Sequence, residues 1–343
     1  MKSKKIRIAI FVIAGIIITY PFTLQLISGC LKFDYDELYT FNMPLNEFTI
    51  SWIAFWGLVC SIVGVFQVFE KLHISRIQHK ELIMTQYKQL NTQIQNNYLE
   101  RYYSCVNMLN SDNEIVRLNA IINLYLLAKD SDMCAESICG NFCDILCSDG
   151  KHSRKEKQRV VNYLFNKDCN IFECMEKNIN NCHLVDLYFI RANIINTNFN
   201  NTVWENCEIH KSEIIDSCFI GAEFRKVLFR TTQIKHSNFR HSVISKETNF
   251  NRFKIDDVIF SQVVCNGAMF NSGYINKCDF SMAKVSQSRF SNVKFIKCVL
   301  ELNETNQTTV VFSEPKYRED FINMLPAKYE NMIHVQGNVL FIP

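Results

Sequence analysis

The residues of this 343-residue chain that could do chemistry are its 15 cysteines, its eight histidines and a run of evenly spaced basic residues. Cys139, Cys143 and Cys147 fall at i, i+4 and i+8, with Cys134 about a turn earlier. Such a set could hold a metal or a redox pair. The spacing argues against it: zinc sites use Cys two to four residues apart with a second pair on another element, and three Cys along one helix stretch over about 12 Å. Free Cys is among the most buried residue types, so these read as core. The odd count and scattered placement speak against a secreted disulfide framework and point to unpaired thiols in a reducing compartment. The histidines are isolated, and His210, His236 and His241 take outward positions in the repeat described below. The chain has no glycine-rich phosphate loop, nucleophile elbow or paired-His motif. These features point to a non-enzyme with no catalytic residue, metal, cofactor or small-molecule substrate.

What dominates is a period of five. Every fifth residue from Leu184 to Ile244 is apolar, 13 positions in all; one residue is then inserted, and the period resumes for 11 more positions from Phe250 to Leu300. Neither a helix (3.6) nor a strand (2) produces this period. The residue two places earlier is usually small, as at Ala192, Thr197, Ser212, Ala222, Gly273 and Cys278.

Segments such as Ala192-Asn193-Ile194, Ala222-Glu223-Phe224 and Cys278-Asp279-Phe280 resemble the pentapeptide-repeat family over about residues 184–300. The resemblance implies a right-handed square β-helix, four pentapeptides to a coil. Six coils at the strand spacing of about 4.8 Å make a rod about 28 Å long. The inserted residue predicts a bulge at one corner. Residues 301–343 leave the period and are expected to cap one end, with a helix over 314–325 and an apolar run at 339–342; the helical region before His183 caps the other.

Between Leu184 and Leu300 there are 15 Lys plus Arg against 10 Asp plus Glu, an excess of five positive charges. Arg225, Arg230, Lys235 and Arg240 each follow a central residue, so they are candidate contacts for an anionic partner, spread as a belt around one coil. Some soluble members of the family mimic DNA with an acidic rod; the basic sign here departs from that.

Before the repeat lie helices and two apolar runs. Residues 6–27 and 48–69 are each long enough to cross a bilayer. Lys2, Lys4, Lys5 and Arg7 precede the first, and Lys71, Arg76, Lys80 and Lys88 follow the second. The loop between them is acidic, so both termini are expected on the cytoplasmic side of a bacterial inner membrane. A competing reading makes Ile27-Ser28-Gly29-Cys30 a lipoprotein cleavage box. Gly57, Ser61 and Gly64 are candidate packing positions on the second span. From Glu70 to about Asn110 an apolar stripe (Ile83, Tyr87, Leu90, Ile94, Tyr98, Tyr102, Cys105, Leu109) predicts a helical stalk, packed either on a second copy or on the chain's own helices. Ser111 and Glu114 read as a capping box, with further helices over 132–147 and 154–165.

The expected organisation is therefore a cytoplasmic N-terminus (1–5), a transmembrane helix (6–27), an external loop (28–47), a second transmembrane helix (48–69), a helical stalk and region (70–183), a β-helix (184–300) and a cap (301–343). The class is a membrane-anchored α plus β-solenoid. This layout is similar to effectors of bacterial anti-phage abortive-infection systems, including retron-linked two-helix membrane proteins. The similarity implies an effector whose rod senses a cytoplasmic protein or nucleoprotein and whose membrane helices self-associate and disturb the bilayer. A passive membrane-tethered scaffold and a tethered inhibitor of a nucleic-acid enzyme are the alternatives.

Overall fold

The computed structural model describes residues 14, 15, 19, 45–168, 171–306, 308–312, 314–329, 332–337 and 339–342. The chain divides into two compact units, Met1–Lys88 and Gln89–Pro343. The expected first span (6–27) lies outside the described residues apart from Ala14, Gly15 and Thr19, as do the external loop up to Pro44 and Cys30.

Helix α1 runs unbroken from Leu45 to Leu109. The expected second span and stalk are therefore one helix, because no proline and only Gly57 and Gly64 interrupt 65 residues. At 1.5 Å per residue the part within the first unit, 45–88, is about 66 Å long, roughly twice a bilayer's hydrocarbon thickness. Among the described residues α1 is the one helix long and apolar enough to cross a membrane, with mean hydropathy 1.4 in its apolar window and none of that window buried. A second span is not shown. The stripe divides along its length. Ile83, Tyr87, Leu90 and Ile94 are exposed, while Cys105 and Leu109 are buried on the chain's own helices. There Tyr102 accepts a hydrogen bond from Asn141 (2.9 Å).

Three helices follow: α2 (Glu114–Asp130), α3 (Ala135–Cys147) and α4 (Arg154–Leu164). The expected cap at Ser111 is corrected. Asn113 is the N-cap of α2, its Oδ1 accepting from the Ile115 amide (2.9 Å). Ser111 is two residues too early, since its own amide still bonds back to Met108 at the end of α1. The reciprocal capping box lies instead at α4, between Ser153 and Glu156. Glu156 is fully buried and also receives Arg117 from α2 at 2.7 Å. Burial pushes its carboxyl up, but the bonds from Arg117, Ser153 and His152 outweigh this and hold it at about 2. Burial in the same cluster pushes the His152 imidazole below its ordinary value.

The cysteine reading holds for Cys134, Cys139 and Cys143, which are buried in the helical core. It is corrected for Cys147, which is disulfide-bonded to Cys182 with the Cα atoms 4.7 Å apart. The end of α3 packs where the first coil begins, which brings together two thiols 35 residues apart. A disulfide is characteristic of an oxidising compartment. For this pair the bond replaces the unpaired thiols expected from the odd count.

The repeat folds as a parallel β-solenoid of about six turns. Strands are three-residue sides such as Tyr188–Ile190, Glu208–His210 and Leu228–Arg230, stacked at a register of 20 residues. At the insertion the register becomes 21, Leu228 pairing with Asn249, and then returns to 20. All 24 central residues are buried. Phenylalanines stack from coil to coil: Phe199, Phe219, Phe239, Phe260 and Phe280 form one column with ring centroids 4.5–5.2 Å apart. Small residues fill the other inward position, and their hydroxyls bond to carbonyls of the preceding coil, as Ser212 does to Phe189 (2.9 Å) and Thr232 to Ile209 (3.0 Å). This satisfies polar groups that would otherwise be buried unpaired.

Corners are turned two residues after each centre by left-handed backbone, from Asn181 (φ 54°) through Lys297 (φ 51°). Glu247 (φ 73°) takes the corner displaced by the insertion. Most corner residues are not glycine, and each carries roughly 1–2 kcal/mol of steric strain. The inter-coil hydrogen bonds and core burial offset that cost.

The solenoid is longer than 184–300. Lys177–Asn178 already pairs with Thr197–Asn198, and Thr308–Val311 continues the ladder from Arg289–Ser291. The N-terminal start was hidden because a lysine stands where a small residue is expected. Lys177 is buried and donates to the carbonyls of Met175 (2.9 Å) and Ile195 (3.2 Å). At the other end, helix α5 (Pro315–Met324) buries Phe321 against Phe295 and Phe312. Strand Val339–Ile342 pairs antiparallel with Thr308–Val311, which ends the parallel ladder.

Candidate functional site: a basic edge of the solenoid

Residues one coil apart occupy the same place on successive layers, so a residue type repeated once per coil becomes a line along the rod. One edge joins the side containing Tyr188–Ile190 and Leu228–Arg230 to the side containing Asn193–Ile195 and Lys254–Asp256. Its corners are Arg191, Lys211, Thr231 and Arg252, then Ser272 and Asn292, all with φ between 50° and 56°. Backbone bonds fix the stack. The Arg191 amide donates to His210 (2.9 Å), Lys211 to Arg230 (3.0 Å), Thr231 to Asn251 (2.8 Å) and Arg252 to Asn271 (3.0 Å).

The line is therefore basic through successive coils: Arg191, Lys211, Arg230 beside Thr231, then Arg252 with Lys254. All five cations are exposed, and none is ion-paired among the described residues. The carboxylate bordering the line, Glu213, is held by Lys167 at 2.7 Å, and that bond raises the Lys167 ammonium above its ordinary value. Glu208 and Asp256 lie on the far margins of the two sides. Beyond Lys254 the same column continues with Tyr274 and Lys294, in register. Tyr274 is 51% exposed, and the Lys294 ammonium lies 4.6 Å from the Tyr317 ring.

The four residues singled out from sequence are placed on four different sides. Arg225 is gripped by Glu223 at 2.6 and 2.7 Å. Lys235 is half-buried and in register with Asp256. Arg240 donates to Gln262 (3.2 Å). Arg230 alone of the four belongs to the basic edge. Sequence reasoning missed Arg191, Lys211, Arg252, Lys254 and Tyr274; the signal was there in reading every twentieth residue, with one added after the insertion. Gly57, Ser61 and Gly64 lie on α1. A methyl group at Gly57 or Gly64 would meet nothing within 4 Å, and Ser61 bonds to the Gly57 carbonyl (2.8 Å). His236 pairs with Asp257 (3.0 Å). Among the described residues no three His, Cys, Asp or Glu are grouped to hold a metal.

The family model for pentapeptide repeats matches residues 188–225, as eight copies. No curated protein matches the chain. Among solved structures, the chain is similar to a trypsin-treated variant of QnrB1, a plasmid-mediated fluoroquinolone resistance protein, at 12% identity and TM-score 0.20, over 37% of this chain and 75% of that one. It is also similar to the pentapeptide repeat protein Rfr23 from the cyanobacterium Cyanothece 51142, at 10% identity and TM-score 0.22, over 40% and 91%. A pentapeptide repeat protein of the Arabidopsis thaliana thylakoid lumen matches at 11% identity and TM-score 0.14, over 29% and 61%. The family match, the five-residue period and the four-sided coils agree: the chain carries a pentapeptide-repeat β-solenoid domain.

Proposed function

We propose that this chain is a non-enzymatic, membrane-anchored recognition protein whose solenoid docks an anionic partner along the basic edge. The observation that carries the reading is the stack of exposed, unpaired cations held in line by the corner backbone. A row of this sign attracts a polyanion and cannot imitate one, which sets the domain apart from DNA mimicry. The apolar part of α1 supplies the anchor, in a bacterial inner membrane. In its fuller form the protein is an effector: partner engagement by the rod releases the N-terminal segment to self-associate and disturb the bilayer, as in anti-phage abortive infection. The open face at Gly57, Ser61 and Gly64 supports that part.

Two experiments test this. The full chain in neutral detergent is titrated at low salt with three anionic probes: a single-stranded oligonucleotide, polyglutamate and phosphatidylserine vesicles. Binding of at least one, abolished by R191E/K211E/R252E, is expected; binding of none overturns the docking reading. Separately, the full chain and a version starting at Glu70 are induced in a bacterial host while growth and entry of an impermeant dye are followed. Dye entry with the full chain alone is expected of an effector. If the Glu70 version stops growth without dye entry, the effector reading fails.

A further inference from the structure

The docking reading names only the charge of the partner; the shape and chemistry of the edge narrow it further. We infer that the edge is a binding track for single-stranded nucleic acid, with phosphates along Arg191, Lys211, Arg230, Arg252 and Lys254 and a base stacked on Tyr274. This rests on the docking reading.

Three observations favour a strand over a membrane or an acidic peptide. First, the cations follow one narrow edge, with Arg191, Lys211 and Arg252 at the corner, Arg230 just before it and Lys254 just after it. The coil rise places about one cation every 4.8 Å, the same order as the charge spacing of about 3.4 Å along one nucleic-acid strand. Beyond the track, the flanking sides carry Lys235, Arg289 and Lys294 against Glu208, Glu213 and Asp256, so their charges cancel and no basic plane faces a lipid surface. Second, the edge runs into an exposed aromatic ring. Tyr274 stands in register between Lys254 and Lys294, and a basic track leading to an aromatic face is how strands are held without sequence preference. Polyglutamate has no ring to stack there. Third, uncharged donors interrupt the edge at Thr231, Ser272 and Asn292. They suit sugar and phosphate oxygens and leave the track sequence-tolerant.

The test uses the full chain in neutral detergent and fluorescence anisotropy of a labelled 20-nucleotide oligothymidylate across a salt series. Five phosphate contacts give a slope of log K against log salt of about −3.5. R191E/K211E/R252E removes three contacts and flattens the slope by about 2. Tyr274→Ala weakens binding about tenfold or more, with the slope unchanged. Thr231→Lys fills the uncharged gap between Lys211 and Arg252 and steepens the slope by about 0.7. That gain cannot come from misfolding. Three results overturn the inference: vesicles or polyglutamate bound more tightly than the oligonucleotide, a slope shallower than about −1, or Tyr274→Ala and Thr231→Lys both without effect. The first leaves the docking reading standing. Failure of all three probes removes both.

Discussion

Substituting Gly273 tests the packing of the solenoid at one atom. Gly273 takes the small inward position of its coil, two residues before Ile275, and its counterpart one coil earlier is Phe253, a ring where nearly every other coil has a small side chain. A methyl group on Gly273 would lie 2.5 Å from Phe253 Cζ and 2.6 Å from Cε1 and Cε2. Carbon pairs prefer about 3.5–4.0 Å, so Gly273→Ala overlaps three ring atoms by roughly 1 Å. The ring cannot retreat. Phe253 is buried and wedged edge-on against Phe250 and Phe270, both with centroids 6.0 Å away. Overpacking of this kind costs about 1–3 kcal/mol. Removing the unfolded-state freedom of glycine returns about 0.4–1 kcal/mol. A net loss of about 1.3 kcal/mol is expected from the midpoints of the two ranges. Phe253→Ala alone opens a cavity worth about 3–5 kcal/mol. In the double variant the clash disappears and the new methyl fills part of the cavity, so the costs fall short of additive by about 2 kcal/mol. Hydrogen exchange of amides in residues 250–296 reads this locally, since solenoid stability is carried by neighbouring coils. Gly273→Ala within about 0.5 kcal/mol of the parent, or additive costs in the cycle, would refute the packing.

Glu156→Gln removes the charge that pairs with Arg117 and should cost about 3 kcal/mol in urea unfolding of the helical region. Because the folded carboxyl is held at about 2, below its unfolded value, its contribution is present above about pH 4.5 and lost as pH falls towards 2. His152, depressed below its ordinary value, shifts stability in the same direction between about pH 6.5 and its folded value; an acid titration by circular dichroism should lose its lower phase in the Gln variant. Rapid alkylation in cells followed by non-reducing peptide mapping should find Cys147 linked to Cys182, and reduction should lower stability by about 3–4 kcal/mol for this loop length; two alkylated thiols would place the domain in a reducing compartment instead. Thr231 is a β-branched residue in left-handed backbone (φ 54°), so Thr231→Asn should raise the melting free energy by about 0.5–1 kcal/mol, measured by the same exchange experiment.

How legible the molecule was depends on the distance over which each feature acts. The five-residue period identifies the solenoid because each centre must be apolar for its own side to close, whichever coil lies above or below. The inserted residue near Lys246 was visible for the same reason, since it shifts every later centre by one. The apolar character of α1 and the helices before the repeat were likewise local. Their ends were less so: Ser111 offered a cap by residue type, but the final turn of α1 had already claimed its amide.

Composition, period and local propensity therefore determined that this chain is an apolar helix, a small helical region and a capped β-solenoid. Only the tertiary structure decided which charges stand together. Arg225, Arg230, Lys235 and Arg240 are neighbours in sequence and face four directions, because each five-residue step turns the chain through one corner. Arg191, Lys211 and Arg252 are far apart in sequence and share one edge, because four such steps return the chain to the same side one layer on. The pairing of Cys147 with Cys182 was hidden in the same way. It is set by where the end of α3 rests on the first coil, a contact between elements that no local pattern encodes.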